Sequence, residues 1–182
     1  MQRLSRPLRR TRKSSKLTCV IMSSPILLIG IGNEYRSDDS IGLHVLRAHR
    51  ERKLPDTVLV ESSGDVAELI EMFSSVRMAI LIDAVSSGGN TGAIYQFEAH
   101  TQPIPVQLSF QSTHAFGVGE AIELARVLEQ LPPILIVYAI EGENFSTGIG
   151  LSSKVEQAVQ MVVEQVSCEV QNALKQTHTI SS

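Results

Sequence analysis

The segment from Ile26 to Gly42 constrains the fold more than any other part of the sequence. It reads ILLIGIGNEYRSDDSIG: consecutive apolar residues, a Gly-x-Gly turn and the start of an amphipathic pattern. A short apolar run bounded by Pro25 and glycine is typical of a strand at 25–31 that is covered on both faces. The pattern after it predicts a helix over 38–53, so the segment is a strand–turn–helix unit.

The alternation of strands and helices continues to residue 176. Further strands are predicted at 56–62, 77–85, 93–99 and 132–141, and further helices at 65–75, 113–131 and 150–176. The run at 93–99 alternates like an edge strand, and we expect it to pair antiparallel with 77–85. The order predicts one α/β domain: a three-layer sandwich, phosphorylase/hydrolase-like, with a mostly parallel twisted sheet of about five strands and helices on both faces.

Charge is concentrated in residues 1–16, which hold seven of the sixteen Lys and Arg residues and no acid. The other nine bases face nineteen acids, a formal charge of −10 that argues against nucleic acid as a partner of the folded domain. We expect 1–21 to be a basic, disordered tail with Met22 as the initiator; a basic arm or a targeting peptide are the alternatives. The domain is expected over 22–176, with a frayed tail at 177–182.

Neither hydropathy nor cysteine usage points to a membrane or a thiol site. No apolar run approaches the ~18 residues that cross a bilayer. Cys19 and Cys168 lack the spacing of a zinc site or a redox pair, so both are expected to be reduced thiols. The expectation is a cytoplasmic monomer without a nucleic-acid or membrane partner.

Acidic residues and one histidine follow or end the predicted strands. Ligands of open α/β sheets bind beyond the carboxyl ends of the strands. Asp38 and Asp39 follow the first strand, Asp83 lies near the end of the third, and His114 stands at the start of a helix. Asp39, Asp83 and His114 therefore form a candidate site, and such an oxygen and nitrogen donor set suits a divalent transition metal with open positions.

Each of these residues also has a structural interpretation. Asp38, and less well Asp39, can cap the first helix, and Asp83 can bind the amides of the SSGG turn at 86–89. His114, next to the predicted N-cap Thr113, can bond to the backbone at the helix start. The remaining histidines are expected to be structural or solvated: His44, His49, His100 and His178.

Common catalytic and nucleotide-binding motifs fit poorly. Gly30 and Gly32 begin a dinucleotide fingerprint, but Tyr35 stands where its third glycine is needed, and the adjacent acids would repel a pyrophosphate. The sequence has no G-x-S-x-G elbow, Walker A loop or H-E-x-x-H pair. A Rossmann-like nucleotide- or cofactor-binding module stays open as an alternative.

Three blocks of the sequence resemble those of the NiFe-hydrogenase maturation endopeptidases. They are LLIGIGNEYRSDDSIGLHVL, LIDAV before a glycine-rich turn, and STHAFGVGEAI, in the family's order across about residues 25–175. The resemblance implies that Asp39, Asp83 and His114 contact a metal and that the two aspartates are catalytic. The first position is often Glu in the family, so Asp39 is one methylene shorter.

A second difference lies after the second predicted strand. Some family members carry Asp-Gly-Gly-Thr where this chain reads ESSGD at 61–65. The resemblance associates this loop with substrate recognition. Ser63, Gly64 and Asp65, together with Asp38, are therefore predicted to bind substrate.

The resemblance implies a specific activity. Such enzymes remove a short C-terminal extension from the hydrogenase large-subunit precursor after nickel insertion. Nickel would then belong to the precursor, with no resident cofactor, and a water would be activated by the metal or by an aspartate of an aspartic-type peptidase. A non-catalytic chaperone that checks nickel loading is a further alternative.

Overall fold

The computed structural model describes residues 25–105 and 117–180, the last four by their backbone alone. The predictions for the basic tail, Met22 and Cys19 lie outside the described residues, as do those for Thr113 and His114. Cys168 is a free, exposed thiol.

The described residues form five strands, four α-helices and one 3-10 turn. In chain order they are β1 (Ile26–Ile31), the 3-10 turn (Ser37–Ser40), α1 (Ile41–Arg52), β2 (Thr57–Ser62), α2 (Val66–Ser74), β3 (Met78–Val85), β4 (Ile94–Glu98), α3 (Val118–Val127), β5 (Ile134–Glu141) and α4 (Ser153–Ile180).

The strands form one sheet in the order β2-β1-β3-β5-β4. All neighbouring pairs are parallel except β4 with β5. Helices α1 and α4 pack on one face of the sheet, and α2 and α3 pack on the other. The predicted three-layer α/β sandwich with a mostly parallel five-stranded sheet is confirmed.

The predicted partner of the edge strand is wrong. β4 pairs antiparallel with β5, not with β3. The reason is that β3 is the central strand: it has β1 and β5 as parallel neighbours, and all eight of its residues are buried. The alternating strand β4 therefore lies beyond β5, at the edge of the sheet.

Helix boundaries also differ from the prediction, most of all at the start of α3 and the end of α4. Helix α3 begins at Val118 because Gly117 is extended and serves as its N-cap, whereas the prediction began the helix at 113. Helix α4 continues to Ile180, so residues 177–180 of the predicted frayed tail are helical.

Two glycines allow α1 to begin directly against the sheet. A Cβ on Gly42 would overlap the carbonyl oxygens of Ile31 and Ile82, and a Cβ on Gly30 would overlap the carbonyl oxygen of Gly42. Backbone therefore meets backbone here, with no side chain between them. This contact draws the 3-10 turn before α1 onto the carboxyl ends of β1 and β3.

Among the described helices, none combines the length and the apolar character that crossing a bilayer requires.

Replacing Gly42 with Ala tests this contact. Alanine normally favours a helix over glycine by about 0.8–1.0 kcal/mol, but here its Cβ meets two carbonyl oxygens. We expect the free energy of unfolding to fall by at least about 2 kcal/mol, measured by urea denaturation. Glu51→Ala, at an exposed position of the same helix, should change it by no more than about 0.5 kcal/mol. A Gly42→Ala protein as stable as wild type would contradict the close packing.

Candidate functional site

Asp39 and Asp83 lie together at the carboxyl ends of the neighbouring strands β1 and β3. Asp39 belongs to the 3-10 turn over the sheet, and Asp83 comes one residue after Ile82, the last β3 residue in register with β1. Both are buried, at 6% and 3% exposure. After β1 the chain continues to β2 at one edge of the sheet, and after β3 it continues to β4 at the other edge. Ligands of open α/β sheets bind at such a switch point.

The environment of Asp83 disfavours its charged form. Burial raises the pKa of Asp83 well above its ordinary value of 3.8, and the nearby charge of Asp39 raises it further. The Ala84 N–H, which donates to Oδ1 of Asp83 at 2.8 Å, partly opposes this. The two carboxylates are thus coupled in a desolvated position, where a proton or a cation relieves their repulsion.

Asp38 has a different role from its neighbour. It is fully buried, and the prediction that it caps α1 is wrong, because Ser40 is the N-cap residue of that helix. Its carboxylate accepts from the N–H groups of Glu143 (3.0 Å), Asn144 (2.9 Å) and Ser152 (2.6 Å). Asp38 therefore fastens the loop between β5 and α4 to the 3-10 turn.

Glu141 holds a second loop at this edge of the sheet. It is 2% exposed, and its carboxylate accepts from the N–H groups of Ser87, Gly88 and Gly89 and from the Ser87 hydroxyl. Glu141 thus binds the amides of the SSGG turn, for which the sequence analysis had named Asp83. The prediction missed Glu141, although it ends an apolar strand as Asp83 does.

The loop after β2 reaches the same edge. Gly64, at φ +88°, lies against the side chains of Ile31 and Val118, at the end of β1 and the start of α3. Asp65 caps α2, because its Oδ1 accepts from the Glu68 N–H at 3.0 Å. Ser63 is exposed.

The third predicted metal ligand, His114, lies outside the described residues. The structure therefore brings together two of the three residues. Within residues 25–105 and 117–180, no three His, Cys, Asp or Glu side chains are grouped so that they could hold a metal ion.

The other described histidines lie away from the acid pair. His49 is fully buried in α1, and burial lowers its pKa to about 4. Burial also lowers the pKa of His44. Nδ1 of His100 lies 3.2 Å from both the carbonyl oxygen and the N–H nitrogen of Leu135, where β5 begins.

Comparisons with known proteins agree on one family. A family model described as hydrogenase maturation protease matches residues 44–169, which include Asp83 and His114. The chain is 26% identical over 144 residues to the hydrogenase 2 maturation protease of Escherichia coli strain K12, covering 78% of this chain and 87% of that protein.

Solved structures share the fold. The solution structure of an endopeptidase from Escherichia coli superposes with a TM-score of 0.70 at 24% identity, covering 84% of this chain and 93% of that one. The hydrogenase maturating endopeptidase HybD from E. coli superposes with a TM-score of 0.65 at 21% identity, covering 82% and 93% of the two chains.

The raised pKa of Asp83 predicts how stability depends on pH. Above about pH 3.8 the unfolded chain releases this proton while the folded protein keeps it, so Asp83 lowers the free energy of unfolding as pH rises towards the folded pKa. Asp83→Asn does not titrate, so its stability relative to wild type should increase with pH. Urea denaturation between about pH 4 and 8 measures this. Asp56→Asn, at an exposed position, should follow wild type; a relative stability of Asp83→Asn that falls with pH would contradict the prediction.

Asp38→Asn should weaken the attachment of the loop between β5 and α4 to the 3-10 turn. The substitution removes the negative charge that three backbone N–H groups share and places an amide beside them. We expect a loss on the order of 3 kcal/mol in the free energy of unfolding, measured by thermal and urea denaturation. Glu143→Gln, at an exposed position in the same loop, serves as the matched control and should lose less than about 0.5 kcal/mol. Equal stability of the two variants would show that Asp38 does not hold the loops.

Proposed function

The chain belongs to the hydrogenase maturation protease family, and from this membership we propose how its buried acid pair cuts a hydrogenase large-subunit precursor. The protein is an endopeptidase that removes the C-terminal extension of the NiFe-hydrogenase large subunit after nickel insertion. The observation that carries this proposal is the position of Asp39 and Asp83. Two coupled, buried carboxylates at the switch point of the sheet suit a reaction that handles a cation and a proton.

Nickel enters the proposal as part of the substrate. Asp39, Asp83 and His114 bind the ion that the precursor carries, and thiolates of the precursor complete its coordination. A mixed oxygen and nitrogen set binds a divalent transition metal without closing its coordination sphere. The enzyme can thus bind a loaded precursor and release the product with its metal.

Hydrolysis requires a base for the attacking water. We assign this role to the acid pair, because a carboxylate has two oxygens, so that one can bind the ion while the other accepts the proton. Water adds to the scissile carbonyl while its proton passes to that carboxylate. The proton then moves to the leaving amide nitrogen, so that the peptide bond breaks into a new carboxyl group and an amine.

The residues predicted to bind substrate divide into those that can contact the precursor and those that hold loops in place. Ser63 is exposed, which supports a contact with the precursor, whereas Gly64 is buried against Ile31 and Val118 and positions Ser63. Asp38 and Asp65 were predicted to touch substrate as well. Their carboxylates are engaged by backbone N–H groups within the fold, so we reassign both to holding the loops in place.

Cleavage of purified precursor tests the proposed function. The protein is incubated with nickel-loaded and nickel-free forms of each large-subunit precursor that its organism encodes, and the products are weighed by mass spectrometry. One loaded precursor should lose a C-terminal peptide and its nickel-free form should stay intact. Asp83→Asn and Asp39→Asn should each lower the cleavage rate at least about 100-fold, while Asp56→Asn should not.

Three outcomes would contradict this account. Intact loaded precursors would refute the protease function, and equal cleavage of both forms would refute nickel recognition. Normal rates in the Asp83→Asn protein would refute the role of the acid pair. A melting temperature raised by a nucleotide but not by nickel would instead support the nucleotide-binding alternative.

A further inference from the structure

Two large apolar side chains are exposed on loops that adjoin the 3-10 turn carrying Asp39. Tyr35 is 65% exposed and lies four residues before Asp39, in the loop after β1. Ile149 is 81% exposed and lies in the loop between β5 and α4. Most of a protein's scattered exposed apolar residues need no explanation, but a pair at the edge of a site is a candidate contact surface.

The backbones of the two loops are joined at this point. The Gly148 N–H donates to the carbonyl oxygen of Tyr35, and the Ser37 N–H donates to the carbonyl oxygen of Gly148, each at 3.0 Å. Arg36 and Gly148 form a parallel bridge. Tyr35 and Ile149 therefore flank a two-stranded ladder, which we call the rim ladder (residues 35–37 and 148–149).

Further bonds fix the rim ladder to the site. The Arg36 guanidinium donates to the carbonyl oxygen of Phe145 at 3.0 Å, and Asp38 binds the backbone of residues 143, 144 and 152. Ser37 has a positive φ of 50°, which is unfavourable for a residue other than glycine. The fold thus holds Tyr35 and Ile149 outward on a bonded support whose next residues are Asp38 and Asp39.

We propose that Tyr35 and Ile149 bind the stretch of the precursor that adjoins the scissile bond, through apolar side chains of that stretch. This inference rests on the proposed function. It commits to a peptide because the rim ladder leads directly into the 3-10 turn that carries Asp39, where the cut chain must lie. Tyrosine is also among the residues that most often anchor protein interfaces. The surface acts in specificity and affinity, whereas the acid pair carries out the chemistry.

The chain provides a matched control for this surface. Val127 is 78% exposed at the end of α3, shortly before β5 begins. It therefore lies near the amino end of β5, whereas the acid pair lies at the carboxyl ends of β1 and β3. Replacing it with serine also removes exposed apolar surface, without approaching the rim ladder.

Affinity for the nickel-free precursor tests the inference, since the proposed function leaves that form uncut and the acid pair stays intact. The nickel-free precursor is titrated calorimetrically into the wild-type protein and into the protein carrying Tyr35→Ser with Ile149→Ser. The double substitution should weaken binding at least about tenfold. Val127→Ser should change it less than twofold, and Tyr35→Phe, which keeps the ring, should stay close to the parent. Circular dichroism and the melting temperature establish that each variant is folded.

The outcomes separate this inference from the proposed function. If the double variant binds as tightly as its parent, the docking surface is wrong, and cleavage by the wild-type enzyme still decides the function. If the precursor binds with the expected loss but wild type does not cut its nickel-loaded form, the function fails and the surface stands. A wild-type protein that does not bind the nickel-free precursor overturns the surface, and cleavage of the loaded precursor still decides the function. Loss of binding in Val127→Ser as large as in the double variant would also overturn the surface.

Discussion

The contact between the backbones of Gly30 and Gly42 determines the geometry of the site. Because neither residue has a Cβ, helix α1 begins directly against the ends of β1 and β3. The turn that leads into the helix must then lie over the same strand ends, and Asp39 comes close enough to influence the pKa of Asp83. A side chain at either glycine would lift the helix and separate the two carboxylates.

Buried acids at this edge of the sheet divide into two kinds. Asp38 and Glu141 each accept several backbone N–H donors, so their negative charges stabilise loops that the sheet alone would not hold. Asp83 instead has a pKa raised by burial and by a second carboxylate. Perturbed acids of this kind, in a position where ligands bind, are typical of functional sites. One rim thus contains two carboxylates that support loops and, in Asp39 and Asp83, a buried pair of acids.

Local sequence patterns predicted the strands and helices and the layers that they form. The apolar runs of β1, β3 and β5 and the amphipathic helices identified the layers, and strand-end position identified Asp39 and Asp83. The pairing of β4 was wrong because an alternating pattern shows that a strand is at an edge but not which strand it joins. Nothing near Asp38 indicates that its partners lie about a hundred residues later, at 143–152, so its role appears only in the folded chain. The position of His114 relative to the acid pair stays a prediction.

A crystal structure of the protein soaked with nickel tests the central claim most directly, with anomalous diffraction recorded at the nickel edge. The account predicts one strong anomalous peak in contact with the carboxylates of Asp39 and Asp83 and with the imidazole of His114. A peak at another place, or an imidazole that faces away from the two aspartates, would contradict it.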